Sequence, residues 1–160
     1  MSDTAAEFIQ AEDDTLHGRY LTFVLDEECY GIEIRYVTDI IQMQPIATLP
    51  GAENYLKGII NLRGEIIPVM DVRLRFGKPA LAYNDRTCVI VMRFSDVSIG
   101  LIVDCVSEVL QILDEDVSQP PKINGASNRF IKGIGKVGQE VKLLLDCEKL
   151  IENDKPEISE

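Results

Sequence analysis

The chain has 160 residues, 46% of them apolar and 27% charged, and a formal net charge of −11. That length suits a single domain with a real core, and the composition is globular rather than disordered. The acidity disfavours binding to phosphate backbones or anionic lipid, and no apolar run approaches the ~20 residues that span a bilayer.

Residues 1–18 carry Glu12-Asp13-Asp14 and no sustained pattern, so they read as a solvated acidic tail. Met1-Ser2-Asp3-Thr4 has neither the basic nor the apolar stretch of a signal peptide, and a cytoplasmic location is expected. Tyr20–Leu25 predicts a strand, Asp26-Glu27-Glu28 a hairpin turn, and the alternation of Tyr30, Ile32 and Ile34 a second, half-buried strand. Val37, Ile40 and Ile41 follow at helix-like spacing and predict one short turn. Pro45, Pro50 and Gly51 mark a loop. Gly58–Leu62 and Glu65–Met70 are strand-like, parted by Arg63-Gly64. Pro68 donates no ladder hydrogen bond, so its strand should be an edge or have that side free. Asp71 suits the N-cap of a short helix over Val72–Phe76, closed by Gly77.

The second half repeats this plan. Ile99, Gly100, Leu101, Val103, Val106, Glu108 and Val109 stand 69 residues after Tyr30, Gly31, Ile32, Ile34, Val37, Asp39 and Ile40. Phe130-Ile-Lys-Gly-Ile134 stands 75 residues after Tyr55-Leu-Lys-Gly-Ile59, and the same spacing carries Glu65 to Glu140 and Asp71 to Asp146. The extra six residues fall in the Ser118–Asn128 loop, where an insertion is tolerated. The repeat predicts two small β-lobes within residues 19–152, with a boundary near 80–87 and strands free to exchange across it. Residues 153–160 form a second acidic tail. Each lobe is too small to be stable alone, so the two should pack together, leaving a seam as a candidate groove.

Little in the sequence supports catalysis. Cys29, Cys88, Cys105 and Cys147 form no C-x-x-C pair, and most are expected to be buried small hydrophobes. Gly133-Ile-Gly135-Lys-Val-Gly138 fits a dinucleotide fingerprint, but a strand-like segment follows it where that fingerprint needs a helix, so a turn is the better reading. The sole histidine, His17, lies in the N-terminal tail, and Asp114-Glu115-Asp116 lacks calcium-loop spacing. No catalytic residue, cofactor or metal site is predicted. A small enzyme or ligand-binding protein using the seam is the alternative, and it would need a deep enclosed pocket with a strongly perturbed carboxylate or thiol. Arg63, in a turn between strands, either offers its planar fork to a partner carboxylate or is an exposed turn arginine with no role, and its repeat counterpart is Gly138, so the fold plan does not demand it.

Several strings together resemble the CheW-like domain family: Tyr30-Gly-Ile-Glu-Ile34, Lys57-Gly-Ile-Ile-Asn-Leu-Arg-Gly64, Ile67-Pro-Val-Met-Asp71, Asn84-Asp85-Arg86-Thr87, Val103-Asp104 and Phe130-Ile-Lys-Gly133. The family includes chemotaxis coupling proteins and the regulatory domain of the kinase CheA. The resemblance implies a mainly β fold of two packed five-stranded SH3-like barrels with short helices, one near the C-terminus. It further implies a non-catalytic adaptor, monomeric when isolated, that inserts into no membrane and binds no nucleic acid. Its partners would be the regulatory domain of the histidine kinase CheA and the cytoplasmic tip of a chemoreceptor, met in receptor arrays at the inner face of the membrane. Partner-surface residues carried over by motif position are Val37, Asp39, Gly58, Asn61, Leu62, Arg63 and Val109. Asp39 stands where the family more often has glutamate, which shortens its reach. The chain length leaves no room for an added receiver domain.

Overall fold

The computed structural model describes residues 16–121 and 128–152. Eleven strands lie in these segments: β1 (Arg19–Leu25), β2 (Glu28–Glu33), β3 (Val37–Gln42), β4 (Leu56–Leu62), β5 (Glu65–Asp71), β6 (Cys88–Phe94), β7 (Val97–Val103), β8 (Cys105–Gln111), β9 (Val117–Ser118), β10 (Ile131–Val137) and β11 (Glu140–Leu145). Two short helices follow strand ends, α1 (Val72–Arg75) and α2 (Cys147–Ile151). Their N-caps are Asp71 and Asp146, whose carboxylates accept from the backbone N–H of Leu74 and Lys149. The fold is therefore mainly β.

The strands make two sheets. One runs β8-β1-β2-β11-β10-β9, the other β3-β6-β7-β5-β4. Under the sequence repeat β1 matches β6, β2 matches β7, β3 matches β8, β4 matches β10 and β5 matches β11, so the two orders are the same. Each lobe takes its first two strands from one half of the chain and the rest from the other. No cut near residues 80–87 separates the sheets, because β1 and β2 belong to the lobe of the second half and β6 and β7 to that of the first. The parallel pairs β2–β11 and β5–β7 close this exchange, with Gly31 opposite Leu144 and Gly100 opposite Val69. The six-stranded sheet departs from the expected five only by two-residue β9, whose Ser118 bridges Ile134. The first half makes the equivalent contact as an isolated bridge, Ala47 to Ile59.

Strand alternation builds three cores. Along β6, Ile90 and Met92 join the large core between the lobes, while Val89 and Val91 face a smaller core with Ile60, Ile67, Val69 and Ile102. In the other lobe Leu21, Phe23 and Leu25 face the shared core, and Tyr20 faces a small cluster with Ile112 and Leu144. Strands buried on both faces read as unbroken apolar runs.

Pro68 lies in a strand paired on both sides, yet costs no ladder bond. Ile59, opposite it, directs both its N–H and C=O to Ala47, so Pro68 points away from β4, and β5–β7 pairing begins only at Val69. Two expectations are corrected. Val37–Gln42 is a strand rather than a turn, because four β-branched residues in its first five favour extended backbone and a bulge between Val37 and Asp39 imitates helical spacing. A short turn of 3-10 helix comes just before, at Ile34–Tyr36. Of the four cysteines only Cys147 is buried; Cys29, Cys88 and Cys105 are half-buried because they sit at or next to strand starts. Gly133–Gly138 lies in the β10–β11 hairpin. The insertion expected in the Ser118–Asn128 loop falls mostly on residues 122–127, outside the described residues, as do the tails 1–15 and 153–160.

Candidate functional site

The β4–β5 hairpin turns at Arg63 and Gly64, both with positive φ (52° and 86°). Such a turn matches strand twist but favours glycine or asparagine at both positions. The equivalent of Arg63 in the second half is Gly138, also left-handed at φ 62°. The first lobe thus keeps an arginine where the second uses the residue that suits the backbone. Asn61 braces the turn, its Oδ1 accepting from the Gly64 N–H at 2.9 Å.

Arg63 spans the lobe. Its Nη2 donates to Asp39 Oδ2 at 2.7 Å, joining the tip of β4 to β3, although the two strands lie at opposite edges of the sheet. The aspartate reaches despite being shorter than glutamate. Asp39 is 25% exposed and Arg63 72%, so the arginine is held at one end and open to solvent along the rest. The pair closes one side of an open groove of about 260 Å³, also lined by Thr38, Leu62, Glu65 and Arg93.

The remaining expected residues divide by role. Leu62 is half-buried and packs on the lobe core. Gly58 is buried at φ 150°, and a side chain there would collide with the Ala47 carbonyl, so it serves the backbone. Val37 lies on edge strand β3, half-buried against the shared core, and its repeat partner Val106 does the same on edge strand β8. Three positions further along each edge, Ile40 and Val109 are exposed at 44% and 50%. These four residues make a two-fold pattern of apolar side chains on the two sheet edges. Ile40 was absent from the sequence-derived set, although the same 69-residue spacing that pairs it with Val109 points to it.

A second network centres on α1. The side chain of Arg73, in α1, is 7% exposed, and its Nη1 donates at 2.8 Å both to Asp26 in the β1–β2 turn and to Asp104 at the β7–β8 junction. Its Nε donates to the Pro79 carbonyl. The hydrogen bond from Arg73 holds the Asp26 carboxyl below its ordinary value. Tyr30 does the same for Glu28, donating its hydroxyl to Oε1 at 2.5 Å. Lys142 beside Glu140 lowers that carboxyl too. Burial pushes the Cys147 thiol up to about 12. Among the described residues no group of three or more His, Cys, Asp or Glu could hold a metal ion, and no helix is long and apolar enough to cross a membrane.

Comparison with known proteins decides the family. The model of the CheW-like domain matches residues 19–155. The chain belongs to the CheW-like domain family. Its relatives in that family include the chemotaxis protein CheW of Klebsiella aerogenes, 32% identical with 88% of this chain and 86% of that protein covered. CheW of Treponema pallidum is 35% identical, with 81% and 79% covered. Among solved structures, the scaffolding protein TtCheW from Thermoanaerobacter tengcongensis superposes with a TM-score of 0.78 at 31% identity, covering 86% of this chain and 89% of that one. The two-sheet CheW-like architecture is therefore that of an experimentally determined relative.

Proposed function

We propose that this chain is a non-catalytic cytoplasmic adaptor that couples chemoreceptors to the histidine kinase CheA in bacterial chemotaxis. The observation that carries this reading is the Asp39–Arg63 pair. It fixes an exposed arginine on a strained turn where the duplicated half has glycine, a cost of the order of 1 kcal/mol that the fold alone does not require. A guanidinium fixed at one end and open at the other suits reversible recognition of a carboxylate. The apolar edge pattern of Val37, Ile40, Val106 and Val109 offers the buried anchors that such interfaces use. The titrating groups point away from chemistry: Asp26, Glu28 and Glu140 are pulled down and the Cys147 thiol is pushed up, so each is held in its resting form at neutral pH.

The mechanism makes and breaks no bond. An adaptor bound to receptor and kinase together raises their effective concentration. If it prefers one signalling state of the receptor, that preference passes to the kinase as a coupling energy of ~1–3 kcal/mol. Co-sedimentation of the purified chain with a receptor cytoplasmic fragment and the CheA regulatory domain tests this. Recovery of all three in one complex is expected, and failure to bind either cognate partner contradicts the reading.

A further inference from the structure

The duplication allows a direct comparison of one position in both lobes. After α1, the Phe76 ring sits between two others, 5.2 Å from Tyr30 and 5.4 Å from Phe130. The three rings fill the space where the end of α1 meets the sheet of the opposite lobe, and Lys78 just beyond pairs with Glu28 at 3.1 Å. At the equivalent junction, where the end of α2 meets the β3–β7 sheet, the repeat puts Ile151 in place of Phe76, Ile99 in place of Tyr30 and Tyr55 in place of Phe130. Two rings have become branched aliphatic chains. The space is open there as a groove of about 380 Å³, lined by Leu56, Pro68, Met70, Val97, Ile99 and Ile151 beside Tyr55. Val97 is 49% exposed at its mouth, where the filled lobe has Glu28. Apolar surface left uncovered in this way loses the contacts its counterpart makes.

We propose that this groove is a docking site for a partner protein segment that inserts one bulky apolar side chain, aromatic or leucine-like, next to lysine or arginine. The size of the anchor follows from the filled lobe, where aromatic rings occupy the equivalent volume. The sign of the flanking charge follows from the rim, where Glu152 is exposed, and from a net charge of −11. The same charge disfavours both a second copy of this chain and its own C-terminal residues, where Asp154, Glu157 and Glu160 outnumber Lys155. Leu56 and Met70 pair at the open end of the β4–β5 hairpin, away from its Arg63 turn, and none of the groove residues lies on the β3 or β8 edges, so the site stands apart from the adaptor surface and does not depend on it.

The test is methyl NMR of the full chain titrated with two synthetic peptides, Ac-Lys-Leu-Phe-Lys-amide and Ac-Glu-Leu-Phe-Glu-amide. The basic peptide is expected to shift the methyls of Leu56, Met70, Val97, Ile99 and Ile151, with the acidic one about threefold or more weaker, the size expected when attraction to Glu152 becomes repulsion. Val97→Lys, at an exposed position, should abolish the shifts without moving the melting temperature, and Ile151→Phe should close the groove in imitation of Phe76. Four outcomes overturn the proposal: groove methyls that ignore both peptides, equal response to both, chemical shifts that change with protein concentration alone (a second copy as occupant), or binding that appears only after residues 153–160 are removed (the tail as occupant).

Discussion

The two lobes share one strand order and one set of repeat positions, yet they spend them differently. One lobe, built on β1, β2 and β8–β11, packs Tyr30 and Phe130 against Phe76 from the end of α1 and turns its last hairpin at Gly138. The other, built on β3–β7, leaves the equivalent junction open and turns the equivalent hairpin at Arg63, held to Asp39. Where duplicated positions agree and act within the chain, as at the helix caps Asp71 and Asp146, the residue serves the fold. Where they diverge toward exposed charge or uncovered apolar surface, the divergence marks what the fold does not need and binding can use.

The sharpest break of this comparison is at the paired glycines Gly58 and Gly133. A side chain at Gly58 meets the fixed Ala47 carbonyl in a left-handed backbone, whereas at Gly133 it meets a Val117 methyl at 2.8 Å that can shift. Gly58→Ala should cost about 4 kcal/mol or prevent folding, and Gly133→Ala about 1–2 kcal/mol, measured by urea denaturation. Equal costs would contradict the difference drawn between the Ala47 carbonyl and the Val117 methyl.

Arg73 comes next. It has no cationic counterpart in the second half, where the repeat puts Glu148. Arg73→Ala should destabilise by about 2–3 kcal/mol, less than a fully buried pair because Asp26 and Asp104 are partly exposed. The pH dependence follows from sign. Asp26 is lowered in the folded state, so its contribution is present above its ordinary value of 3.8 and is lost as pH falls through the lower folded value. In Arg73→Ala that shift goes, and stability should fall less steeply with acidification below 3.8 than in the parent.

The smallest effect is expected at the helix starts, where Val72 matches Cys147 and both are buried. Cys147→Val should change stability by less than about 1 kcal/mol. With its thiol pushed up to about 12, Cys147 should also resist alkylation at pH 8 until the protein unfolds, while the half-buried cysteines react sooner. Rapid labelling of Cys147 in the folded protein would contradict its place in the core.

Strand positions and the repeat were legible in the sequence because period-two patterning reports which face is buried. It does not report which strand lies alongside, so the exchange of β1–β2 and β6–β7 between lobes became visible only through the parallel pairs at Gly31 and Gly100. Turn chemistry was legible at Asp71 and at Arg63-Gly64, since both act within a few residues. Thr38 hid the β3 strand, because a bulge and a helix give Val37, Ile40 and Ile41 the same spacing. The Arg73 network is not legible in the sequence, because its partners, Asp26 and Asp104, are brought to it only by the folded chain. Of the partner-surface residues given by motif position, Leu62 is half-buried on the lobe core and Gly58 is buried against the Ala47 carbonyl, placements that depend on contacts no short motif reports.

The divergence at the hairpins admits a direct test. Arg63→Glu and Gln139→Glu each add an acidic side chain to equivalent exposed turns, one in each lobe. Binding of each variant to the receptor fragment and the CheA regulatory domain would be measured beside its melting temperature. The expected result is a loss of about tenfold or more in affinity for Arg63→Glu, equivalent to at least ~1.4 kcal/mol, less than about twofold for Gln139→Glu, and little change in melting for either. Equal binding by the two variants, or a loss in Arg63→Glu matched by unfolding, would contradict the claim that the arginine turn exists for a partner.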